Sequence, residues 1–78
     1  MEVTIKGNNG TYHISSELIQ SPAGVVDIDT NVYVIARDAD TQRVVKKEKF
    51  VLRQGSENST LRAIFEMYSR QAANDFLD

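Results

Sequence analysis

The residues able to do chemistry are few and scattered in this 78-residue chain. His13 is the only histidine, and a general base or metal ligand needs partners that its neighbours do not supply. Asp27 and Asp29 stand two apart, as do Asp38 and Asp40. On a strand that spacing points two carboxylates the same way, where they can bind a hard cation or share a proton. Neither pair is accompanied by the glycine and distal glutamate of a calcium loop, and the second pair fits ordinary turn chemistry. Ser15 and Ser16 have no activating base and no G-x-S-x-G elbow around them. Gly7, Gly10, Gly24 and Gly55 are dispersed and show neither phosphate-binding spacing. The residues therefore predict a non-enzymatic protein with no catalytic residue, no metal and no cofactor.

One cluster stands apart. Arg43, Lys46, Lys47, Lys49 and Arg53 gather in the middle of the chain, and Lys47, Lys49 and Arg53 share a parity. Tyr33 can lie beside them on a neighbouring strand. Basic side chains interleaved with an aromatic can follow phosphates and stack a base. Lysines on an exposed edge strand also keep it from pairing with other chains. The formal net charge is −2, so the composition is not that of a nucleic-acid-binding protein. Its distribution is uneven. Residues 1–30 set Lys6 against Glu2, Glu17, Asp27 and Asp29. Residues 31–54 set six basic residues against Asp38, Asp40 and Glu48, which makes the centre the only positive third.

The composition bounds the class of protein. Hydrophobic residues at 41% and charged residues at 26% lie near globular averages, which argues for a folded chain. The length fits one domain, residues 1–78, with a small core. No apolar run approaches the ~18–20 residues that span a bilayer, and MEVTIKG does not read as a secretory signal. With no cysteine there is neither disulfide nor thiolate zinc site, which favours a cytoplasmic setting.

The elements that must position these residues follow from periodicity. Residues 1–7 alternate as a half-buried strand, Asn8-Asn9-Gly10 signals a tight hairpin, and residues 11–19 return. The stretch from Ser15 to Gln20 can alternatively form one helical turn with a serine cap. Ser21-Pro22-Ala23-Gly24 breaks the chain. A third strand is expected over 25–37, a turn at Asp38–Gln42 and a fourth strand over 43–53. Lys46-Lys47-Glu48-Lys49 predicts that the middle of the fourth strand is either exposed on both faces or bulged. After a polar break, Leu61, Ile64, Phe65, Tyr68, Ala72 and Phe76 recur at helical spacing, giving a helix over about 59–77 capped by Asn58, Ser59 or Thr60.

The order implies an α+β fold: a four-stranded antiparallel sheet of two hairpins with one C-terminal amphipathic helix packed on one face. If that helix covers Val26, Ile28, Val32, Val34, Phe50 and Leu52, a second apolar set is left, namely Val25, Tyr33, Ile35, Val45 and Val51. Either the first hairpin folds over that set, or it marks an interface for self-association as a homodimer or for another protein. The functional expectation is a protein–protein interaction module. Such a module suits a regulator or inhibitor docking on a larger complex, including one encoded by a phage or mobile element. Tyr33, Ile35 and Val45 are its expected anchors, and Lys47, Lys49 and Arg53 its steering charges. The alternative is a nucleic-acid-binding accessory protein using the basic strand 43–53. No membrane partner is expected.

Overall fold

A computed structural model describes residues 1–24 and 28–77. Four strands, β1 (Glu2–Lys6), β2 (Thr11–Ile19), β3 (Thr30–Asp38) and β4 (Val44–Leu52), precede one helix, α1 (Glu57–Ala73). The strands form a single antiparallel sheet in chain order, β1-β2-β3-β4, and the helix packs on one face. This is the expected α+β fold. The first hairpin extends the sheet and does not fold over its second face.

Burial follows the strand period of two. Tyr12, Ile14, Val32, Val34, Ala36 and Leu52 face Ile64, Phe65, Tyr68 and Ala72 of α1, and all are buried. The third strand starts later than its alternation suggests. β2 ends at Ile19, which pairs with Asn31, so Ile28 and Asp29 have no strand on the β2 side. Ile28 lies outside the strand at 75% exposure and is not a core residue. Val25, Val26 and Asp27 lie outside the described residues.

The β1–β2 turn forms where Asn9-Gly10 predicts it, but without the positive φ that an Asn-Gly pair commonly supplies to a tight hairpin. None of residues 7–10 takes a positive φ. The turn is held from the other end of the chain by Asp75, whose carboxylate accepts backbone N–H bonds from Asn8, Asn9 and Gly10 at 3.0–3.1 Å. It also accepts the Tyr12 hydroxyl at 2.8 Å. Burial pushes the Asp75 carboxyl up, but the Asn9 N–H, the Tyr12 hydroxyl and the other two amides outweigh it and leave the pKa lowered. The same hydrogen bond, followed by burial, raises the Tyr12 phenol.

Asp75 is also why the helix is shorter than its periodicity. Phe76 N–H donates to Gln71 C=O at 2.7 Å and Asp75 N–H to Ala72 C=O at 2.9 Å, the double closure of a Schellman motif. Its left-handed position, usually glycine, is Asp75 at φ 56°, and Phe76 follows at φ 57°. The reversal aims the Asp75 carboxylate at the hairpin and sets the Phe76 ring edge-on to Tyr12 and Tyr68. At the other end, Ser56 occupies the N-cap position. Its hydroxyl donates to Arg53 C=O and does not cap the helix, while Glu57 places an acid in the first turn.

Candidate docking face

The second hairpin sets the site. Asp38 Oδ1 accepts the N–H groups of Asp40 at 2.9 Å and Thr41 at 3.0 Å, and Gln42 closes the turn at φ 65°. Those two amides, Thr41 first, hold the Asp38 carboxyl below its ordinary range. Asp38 therefore serves the turn, and the Asp38/Asp40 spacing is not a paired-carboxylate site. Asp29, of the other pair, accepts Gln54 N–H at 3.3 Å, and Asp27 lies outside the described residues.

On β4 the register slips between Ala36, opposite Lys46, and Arg37, opposite Val44. Val45 is the extra residue, so the bulge falls one position before the charged run. Beyond the bulge the strand's regular alternation sorts that run. Val34 pairs with Glu48 and Ala36 with Lys46, which places both on the helix side. There Tyr68 Oη donates to Glu48 Oε1 at 2.8 Å. Lys46 Nζ lies 3.2 Å from Glu48 Oε1 and donates to Gln71 Oε1 at 2.7 Å. The Tyr68 hydroxyl, and after it Lys46, hold the Glu48 carboxyl below its usual range against the push of partial burial. Burial first and then Glu48 raise the Tyr68 phenol well above its ordinary value. Two of the four charges thus close the edge of the core by pairing with the helix. Nothing in the spacing of residues so far apart in sequence announces that network.

The other two charges face away from the helix. Tyr33 pairs with Lys49 and Ile35 with Lys47, and Lys47 Nζ stands 4.3 Å from the centroid of the Tyr33 ring. The structure therefore brings Tyr33, Lys47 and Lys49 together, as their parities suggest. Val44 joins this open face through the bulge, whereas the parity count assigns it to the core side. Val45 is 45% exposed at the bulge itself. Arg53 lies beyond the last residue of β4 and is exposed, away from the Tyr33–Lys47 pair.

Ile35 departs most from expectation. It is 1% exposed and cannot serve as a docking anchor. It sits in an interior strand between Ser15 and Lys47, with Tyr33 and Arg37 two residues to either side on the same face. Tyr33, Arg37 and Lys47 are the long side chains near enough to shield it with their apolar parts. Cover for the second face thus comes partly from the face's own residues. Further along, His13 pairs with Arg37 and Thr4, with Thr4 Oγ1 3.3 Å from Nδ1 and Glu2 Oε1 3.8 Å from Nε2.

Lys6, Arg37, Lys47 and Lys49 stand on this face against Glu2 and Glu17. It is a positive surface on a chain whose formal net charge is −2. Comparison of the chain with protein-family models, curated proteins and solved structures finds no match. Among the described residues there is no pocket and no group of three or more metal-ligating side chains, so what the molecule offers is a broad, shallow sheet face.

Proposed function

We propose that the chain is a non-enzymatic docking module that binds another protein through the open face of its sheet, acting as a regulator or inhibitor of a larger assembly. The observation that supports it is the Tyr33–Lys47–Lys49 group. An aromatic ring and two exposed ammonium groups are presented on neighbouring strands, flanked along β4 by Val44, Val45 and Val51 at 45–55% exposure. Aromatic anchors with steering charges around them are the usual energetic centre of a protein interface. The cysteine-free composition supports a cytoplasmic setting, and a phage or mobile-element origin belongs to the same proposal.

The same lysines support a second reading, nucleic-acid binding along β4. Against it, a base stacking on Tyr33 must compete with Lys47, which already covers the ring. Glu2 and Glu17 also share the face. Affinity capture distinguishes the two readings. A partner retained after nuclease treatment and lost with Tyr33→Asp supports protein docking. Binding to single-stranded DNA or RNA that falls steeply with salt, and is lost with Lys47→Glu plus Lys49→Glu, overturns it.

A further inference from the structure

Building on the docking reading of the open face, we propose that, while no larger partner is seated on it, its occupant is a second copy of this chain, stacked face to face across a two-fold axis parallel to the strands. The register lays the charges out in rows. In one row Glu2 pairs with Ser15, Ser15 with Ile35 and Ile35 with Lys47. In the adjacent row of the same face, Glu17 pairs with Tyr33 and Tyr33 with Lys49. Both rows place the acid on the β1–β2 side, the lysine on β4, and Tyr33 or Ile35 between them.

These charges are unspent within one molecule. Among the described residues Glu17 and Lys49 have no ion-pair partner, Lys47 reaches only the Tyr33 ring, and Glu2 reaches only His13 at 3.8 Å. Strands spaced ~4.8 Å apart put Glu2 and Lys47 about 14 Å from one another, beyond a Debye length at moderate salt. A half-turn about an axis along the strands exchanges the two sides of the sheet. It sets Glu2 of one copy over Lys47 of the other, and Glu17 over Tyr33 with Lys49 one strand to the side, an offset that long side chains span. The symmetry makes each contact twice. A foreign acidic surface would satisfy the lysines and leave the glutamates facing like charge. A second copy satisfies both sets, and leaves Lys6 and Arg37 of the same face without an opposing acid, which keeps the pairing weak.

Four strands of up to nine residues give a footprint of about 19 by 30 Å, or about 600 Å² per copy, below the ~800 Å² per partner of a standard stable interface. The dimer is therefore weak, dependent on concentration and weakened by salt.

Sedimentation equilibrium of the purified chain, from micromolar to millimolar, tests this. The wild type is expected to dimerise. Lys47→Glu with Lys49→Glu, and separately Glu2→Lys with Glu17→Lys, are each expected to raise the dissociation constant about tenfold or more. An equimolar mixture of the two reversed variants is expected to re-associate, because each restores the other's contacts. All four side chains are on the face away from α1, and circular dichroism checks that each variant is folded. A wild type monomeric throughout, reversed variants that dimerise as tightly as the wild type, or a mixture that stays monomeric would each overturn the proposal. A photo-reactive phenylalanine analogue in place of Tyr33 separates this from the broader docking reading. A monomeric chain cross-linked to one different protein overturns self-pairing alone, and absence of any cross-linked product overturns both.

Discussion

Gly7→Ala tests whether the chain's two ends are locked together as the structure describes. Gly7 does not adopt a positive φ, so alanine meets no backbone strain there. On conformational entropy alone the substitution would stabilise the protein by ~0.4–1 kcal/mol. The space is already occupied, however. A Cβ at this position would lie 2.4 Å from Asp75 Oδ1 and 2.6 Å from Ala72 O, the second a helix carbonyl that already accepts Asp75 N–H. Both oxygens would have to retreat by about 0.5 Å to reach even the shortest contacts that Cβ atoms make. Neither can retreat freely, because the carboxylate is tied to three amides and a hydroxyl and the carbonyl closes the helix. Overpacking of this kind costs ~1–3 kcal/mol, which exceeds the entropic gain. At ~4–8 °C per kcal/mol for a chain of this size, the melting temperature should fall by about 5–15 °C. A thermal melt followed by circular dichroism or calorimetry measures it. Gly10→Ala is the internal comparison, since its Cβ would meet only the Tyr12 ring and hydroxyl, at 3.2 Å or more, and its cost should be smaller. The loss from Gly7→Ala should also shrink in an Asp75→Ala background, where one of the two obstructing oxygens is gone. A Gly7→Ala protein that melts at or above the wild type would refute the clamp.

Further expectations follow from the same contacts. Asp75→Asn, which tolerates the left-handed backbone but removes the charge, should destabilise the fold, and Asp75→Gly should do so too despite its easier backbone. Parallel melts check both. Asp38, Glu48 and Asp75 all have carboxyl pKa values lowered in the folded chain. Their stabilisation is present above the unfolded value of about 4 and is lost as pH falls through the folded values, so melting temperatures should drop on acidification below that point. Tyr12 and Tyr68 are raised, so their contribution holds below the unfolded value of about 10 and is lost as pH rises beyond it. Tyr68→Phe should flatten the alkaline arm of that profile. Ile35→Ala should cost ~2–5 kcal/mol in chemical denaturation, as expected for a buried aliphatic residue, although no helix covers it.

Reading order and chemistry together, the sequence determined the architecture. Alternation in residues 2–6 and 11–19, turn residues at 8–10 and 38–42, and the three-and-four spacing from Leu61 to Ala72 each encode a local periodicity, and local periodicity survives without knowledge of partners. It also placed Tyr33, Lys47 and Lys49 on one face, because parity within a strand is a local property. What depends on a distant partner was decided only by the tertiary structure. β3 begins at Thr30 because β2 ends opposite Asn31. Val44 changes face because a bulge at Val45 shifts the register, and no count along one strand can detect a slip against its neighbour. The helix stops at Ala73 in a Schellman closure that turns the Asp75 carboxylate onto a hairpin more than 60 residues earlier. Lys46 and Glu48 belong to the helix, through Tyr68 and Gln71, while Lys47 and Lys49 belong to the open face. The charged run that blurs the hydrophobic pattern is the place where the sheet divides its residues between fold and surface.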